Sequence, residues 1–161
     1  MFGNLTGRWS RAIVVGALVA VSGLVVTGVA SAKPAPASSA PGVAGTPCTA
    51  EARACVDRAA KKAWLITDGK VSLGPLPAST GGPGHETPPG DFTVEWKHQD
   101  HRSAEFNNAP MPWAVFFAQG GIAFHEGNVH TPSAGCVRLE AGPAKTFYET
   151  LQVGSRVEIR G

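Results

Sequence analysis

Glycine and proline limit how long any regular element of this chain can run. Past residue 48 the apolar residues come in runs of three to six, each stopped by a turn signal. Ala54-Cys55-Val56-Asp57 is one such run. Lys62-Ala63-Trp64-Leu65-Ile66 is a second, ended by Thr67-Asp68-Gly69-Lys70. Residues 71–80 continue extended, and Pro75 and Pro77 confine them to a sheet edge or an irregular path. Residues 81–90 hold four glycines and three prolines and read as a loop. Phe92-Thr93-Val94-Glu95-Trp96 alternates like a half-buried strand, and residues 114–117 and 122–124 flank Gln119-Gly120-Gly121 as a hairpin. One helix is expected. Pro143 suits its first position, Ala144, Phe147, Tyr148 and Leu151 share a face, and Val157 and Ile159 follow Gly154 in a last strand. Short strands with one packed helix predict a mainly β sandwich or barrel-like core.

The N-terminus has a different character. Arg8 and Arg11 precede a charge-free apolar run at 12–29, and Ala30-Ser31-Ala32 offers small residues for cleavage. Residues 1–32 therefore read as a secretory signal peptide; the competing reading is an uncleaved membrane anchor. Either way the remainder is exported, and contact with a membrane would come only through an uncut leader. The net charge of +2 is the leader's two arginines, which leaves 12 basic and 12 acidic residues beyond it. That balance gives no footprint for nucleic acid. Residues 33–47, rich in Ala, Pro and Ser, read as a flexible linker, and 48–161 as one small domain.

Exported domains of this size often add a disulfide. There are three cysteines, so one pair and one left over. Cys48 and Cys55 lie close together at the start of the domain and are the expected pair. Seven residues of continuous helix would hold them about 10.5 Å apart, too far to bridge, so residues 49–54 are expected to form a tight turn or a short helix that folds Cys48 back onto the strand bearing Cys55.

Cys136 is the thiol left free, in Pro132-Ser133-Ala134-Gly135-Cys136-Val137-Arg138-Leu139, downstream of Phe124-His125-Glu126-Gly127. Gly135 lets a substrate approach the backbone, and the amides of Gly135 and Cys136 could receive an oxyanion. His125 ends a strand, where it can be held rigidly, and an imidazolium there would lower the thiol pKa. His130, in the loop between them, is the competing base. His85, His98 and His101, with Glu86 or Asp100, fit no standard zinc spacing, so no metal is expected.

These residues resemble the signature of the L,D-transpeptidase (YkuD-like) catalytic domain. Asp57-Arg58-Ala59-Ala60-Lys61-Lys62-Ala63-Trp64-Leu65 and Thr87-Pro88-Pro89-Gly90-Asp91-Phe92 are similar to further segments of that family. One position departs from it. The family usually has Ser-His-Gly-Cys, and here Ala134 replaces the histidine. The resemblance implies a β-sandwich with a helix against it and a reaction that needs no cofactor. Cys136 would attack a peptidoglycan tetrapeptide stem, release D-alanine and pass the acyl group to an amine, and a carbapenem would trap the same sulfur. It implies that Ser133 fixes the loop and that Arg138 orients a substrate carboxylate. Trp113, in Met111-Pro112-Trp113, and Glu126 are further substrate-binding candidates. Hydrolysis of the same bond (an L,D-carboxypeptidase) and a non-catalytic wall-binding module on the same scaffold remain open.

Overall fold

A computed structural model describes residues 40–161. The expected signal peptide and the first part of the expected linker lie outside the described residues. From Pro41 onward the chain is folded, not the linker expected through residue 47. Val43 is buried, its amide donates to Cys48 O at 2.9 Å, and the Ala50 amide donates to Pro41 O at 2.8 Å. The physical reason is the small apolar cluster on the outer face of the first sheet, where Val43 and Ala52 cover Trp64 and Ile66.

Nine strands and one helix follow in the order β1 Ala54–Asp57, β2 Lys62–Thr67, β3 Lys70–Pro77, β4 Gly90–Thr93, β5 Trp96–Arg102, β6 Pro110–Ala118, β7 Ile122–Glu126, β8 Val137–Leu139, α1 Ala141–Thr150 and β9 Arg156–Arg160. They form a five-stranded sheet, β3-β2-β1-β9-β4, and a four-stranded sheet, β5-β6-β7-β8. β3, with its two prolines, is an edge strand as expected. Asp68 and Gly69, at φ +51° and +70°, make the two-residue turn that joins β2 to β3.

Strand alternation builds the core. Ala54 and Val56 of β1, Ala63 and Leu65 of β2, Val115 and Phe117 of β6, Phe124 of β7 and Val137 and Leu139 of β8 all point into one cluster. The helix closes it with Phe147, whose ring lies 5.1 Å from Phe124, and Leu151. The result is a mainly β sandwich with a single helix packed against it. Cys55, from the opposite face of β1, bridges to Cys48 with Cα atoms 5.9 Å apart, and the chain turns back between them through an Ala52 N–H to Thr49 O bond.

Two local expectations are corrected. Residues 92–96 are not one strand: pairing with β9 ends at Thr93, Val94 and Glu95 cross over, and Trp96 opens β5 in the other sheet. The crossing is fixed by Val94 N–H to Ser155 O and Glu95 N–H to Phe116 O bonds, which no local pattern encodes. β5 itself is almost wholly polar and exists because β6 supplies its ladder. The helix begins at Ala141, so Pro143 sits third, where its missing N–H still costs no intrahelical bond.

Candidate active site

β7 and β8 lie side by side and parallel, with Phe124 opposite Val137 and His125 opposite Arg138. Phe124, Val137 and Leu139 take the core face. The two-residue period then places His125, Arg138 and Cys136 on the opposite face. Both His125 and Cys136 line one cavity of about 380 Å³, with Glu126, Ser133 and Arg138 also in its wall. The sheet beneath is a small cluster of Met111, Ala114, Phe116 and Ala123, against which Cys136 packs.

Met111 and Ala114 share that face only because β6 is kinked between them. Regular alternation would separate residues three apart, and Trp113 adopts φ +60° there. The kink turns Trp113 to the other side, against Tyr148 of the helix at 5.6 Å, with Lys145 Nζ 5.7 Å above its ring. Trp113 is therefore not a cleft residue, contrary to expectation; packing against the helix claims its indole.

The loop before Cys136 is held from several sides. Ser133 Oγ donates to Cys136 O at 2.5 Å and accepts from the Gly135 N–H at 3.1 Å. Gly135 has φ +116°, a conformation that a side chain would strain. Its carbonyl accepts from Thr87 Oγ1 at 2.7 Å, and the same hydroxyl accepts from the Gly81 N–H at 3.0 Å. Ser79 exchanges backbone bonds of 3.0 and 2.9 Å with Arg138, and its hydroxyl donates to Thr131 O. Arg138 Nη2 donates to Thr131 O at 2.9 Å and to Pro132 O. The aliphatic stem of Arg138 lies against Gly127, where an added Cβ would meet Arg138 Cδ at 2.5 Å. Arg138 is thus partly committed to holding the loop. Because the Gly135 amide is used by Ser133, the oxyanion pair expected from the sequence reduces to the Cys136 amide.

Electrostatics depart further from expectation. His125 is buried, and burial is the main cause that lowers its pKa to about 4, with Arg138 and His101 adding to it. Its Nδ1 lies 2.7 Å from Glu126 O. A carbonyl only accepts, so Nδ1 carries the proton and Nε2 keeps its lone pair. Burial raises the pKa of the Cys136 thiol, opposed by a hydrogen bond with the Ala123 backbone and by Arg138. The resting pair is a neutral thiol and a neutral imidazole, not the ion pair that an imidazolium would create. Such a pair can pass a proton from sulfur to Nε2 as the sulfur forms a bond.

His130 lies apart. Its amide donates to Asn128 Oδ1 at 2.8 Å, and the residue lines a different cavity, of about 370 Å³, with Arg58 and Lys61. Thr87 and Ser79 are functional-looking residues that sequence reasoning passed over. Thr87 stood only inside a motif similar to the family's, and nothing local linked it to a carbonyl 48 residues away.

Residues 51–159 match the L,D-transpeptidase catalytic domain. This chain belongs to the L,D-transpeptidase family. An L,D-transpeptidase from Stackebrandtia nassauensis is similar at 31% identity and a TM-score of 0.63, over 67% of this chain and 54% of that one. One from Mycobacterium smegmatis is similar at 25% identity and 0.61, over 67% and 58%. L,D-transpeptidase 3 from Mycobacterium tuberculosis, solved with a faropenem-derived adduct, shares the fold at 19% identity and 0.61, over 67% and 59%. No match was found among the curated proteins. The chain spans a little over half the length of the solved L,D-transpeptidases it resembles.

Proposed function

We propose that this protein is an exported cysteine acyltransferase acting on peptidoglycan tetrapeptide stems. The observation that carries the reading is the placement of His125 and Cys136 on one face of the parallel β7–β8 pair, in one cavity, with His125 Nε2 left as an acceptor. The family supplies the substrate class. Peptidoglycan stems lie outside the cytoplasmic membrane, which agrees with residues 1–32 acting as an export signal.

In the first half-reaction the Cys136 thiol gives its proton to His125 Nε2 while sulfur bonds to the diaminopimelate carbonyl carbon. The Cys136 amide faces the developing oxyanion. As the C–N bond breaks, Nε2 returns the proton to the departing D-alanine amine, leaving a thioester. In the second half an amine of another stem attacks that carbon and Nε2 takes its proton. The C–S bond breaks and the sulfur recovers the proton. Arg138 keeps the loop in register and presents its remaining N–H groups to a substrate carboxylate.

Incubation with purified disaccharide-tetrapeptides tests the proposal. D-alanine release that Cys136→Ala abolishes is expected, together with a carbapenem mass adduct on the Cys136 peptide. A crosslinked dimer marks the transpeptidase; a tripeptide alone marks the carboxypeptidase. Absence of both D-alanine release and adduct formation would overturn the enzyme reading in favour of a binding module.

A further inference from the structure

The β7–β8 ladder ends one rung early, and the missing rung lies beside the sulfur. Gly127 N–H donates to Leu139 O at 2.9 Å. The two-residue period of β7 then turns the amides of His125 and Ala123 toward β8 as well. One rung further back, a parallel ladder would take Ala123 N–H to Gly135 O. Pairing stops at Phe124 opposite Val137, so that rung is not made. Gly135 has left the strand direction at φ +116°, and its carbonyl accepts from Thr87 Oγ1 at 2.7 Å instead. Ala123 is fully buried, where an amide left without a partner is costly. The residue packed against it there is Cys136.

The sulfur meets the same run of main chain at a second point. The Cys136 thiol donates to Gly121 O at 3.6 Å, and Gly121 stands two residues before Ala123, so its carbonyl is turned to the same side. Among the described residues this carbonyl, and not His125, accepts from the resting thiol. The Ala123 backbone acts on the sulfur in the opposite sense and favours its charged form. That matters here because the neutral His125 offers the sulfur no positive charge at neutral pH.

We infer that the Ala123 main-chain amide is a catalytic group: it donates to the Cys136 sulfur and holds the negative charge that the sulfur carries during attack and departure. The inference rests on the acyl-enzyme reading above. At rest the S–H bond points to Gly121 O. With a carbonyl carbon in place, rotation about Cβ–Sγ turns the hydrogen to His125 Nε2. That nitrogen takes the proton while an electron pair of sulfur forms the C–S bond. In the second half-reaction the C–S electron pair returns to sulfur, where the Ala123 N–H meets the charge, and Nε2 then gives the sulfur a proton. A donor to an anion is stronger than one to a neutral group, so the amide favours the charged sulfur over the resting thiol. It is fixed in a sheet and needs no rearrangement to act.

Two measurements on the full chain test this, and neither needs the peptidoglycan substrate. In the first, NMR follows the Ala123 amide proton as the pH is raised through ionisation of the Cys136 thiol, whose midpoint is read from the rate of alkylation by iodoacetamide. The amide proton is expected to move downfield with that same midpoint, and to stay in place in Cys136→Ala. No movement at the midpoint, or the same movement in Cys136→Ala, overturns the inference. In the second, Ala123 is replaced by L-lactic acid, which keeps the side chain and exchanges the amide N–H for an ester oxygen. Alkylation of Cys136 at neutral pH is expected to slow about ten-fold or more, as for loss of a hydrogen bond to a charged group. The same exchange at Ala54, in the other sheet, is the control and should leave the rate unchanged. An unchanged rate with the ester at residue 123, or an equal slowing with the ester at residue 54, overturns the inference. Should the ester at 123 not fold, the amide titration decides alone. Absence of D-alanine release by the unaltered protein counts against the enzyme reading alone, since both measurements read the sulfur itself.

Discussion

At His125 two effects oppose each other. Burial disfavours the imidazolium, and the bond to Glu126 O favours it; burial is the larger, and the ring stays neutral to about pH 4. The thiol opposite is pushed the other way, toward staying protonated. A site of this kind does not rest as a thiolate, so its reactivity appears only when a substrate carbonyl is in place. The acid limb of kcat/KM for acylation is therefore expected near pH 4, not near the ordinary histidine value of about 6.5. His125→Gln should lower turnover about a thousand-fold or more, because no other imidazole lines that cavity. His130→Gln should stay within about two-fold, as for a surface change elsewhere. Steady-state kinetics of D-alanine release across pH decides both. An acid limb near pH 6.5 would place His125 in water, and a large loss at His130 would move the base into the loop.

Among the elements, the Cys136 loop depends on the chain far from it. Thr87 is fully buried, and its hydroxyl spans the Gly81 amide and the Gly135 carbonyl. Thr87→Val keeps the shape and leaves both backbone groups without a partner, so a loss of about 2–3 kcal/mol is expected. Activity should fall with it, since the Gly135–Cys136 peptide is then released. Thr87→Ser keeps the oxygen and should restore most of both. Urea unfolding and D-alanine release, measured side by side, distinguish the hydroxyl's effect from that of the missing methyl. If Thr87→Ser were as damaging as Thr87→Val, packing and not hydrogen bonding would hold the loop.

On the scale of the molecule, the buried neutral His125 couples the site to global stability. Between pH 6.5 and 4 the unfolded chain takes up a proton at this residue that the folded chain refuses. Stability is then fully present above pH 6.5 and falls as pH drops toward 4, by about 3 kcal/mol across the window. Denaturant midpoints measured from pH 7 to pH 4 should decline, and His125→Gln should flatten that decline. A midpoint independent of pH in both proteins would mean that the histidine is solvated in the folded state.

Much of this was legible in the chain itself, and the reason is locality. Ala54, Val56, Ala63 and Leu65 alternate with polar or outward residues, so β1 and β2 and their core faces follow from a period of two. Asp68-Gly69 specifies its own turn. Ser133, Gly135, Cys136 and Arg138 lie within six residues, so their association needs no folding argument, and His125 declares itself at the end of an apolar run. What the sequence could not give is set by contacts between distant segments. β5 is a strand because β6 pairs with it, and residues 41–47 are ordered because a cluster on the outer sheet face needs cover. Trp113 turns toward Tyr148 because of one left-handed residue in β6, and Thr87 reaches Gly135 across 48 positions. The ionisation of His125 and Cys136 belongs to the same class. A pKa depends on how much water and charge surround the group, and only the closed tertiary structure sets that.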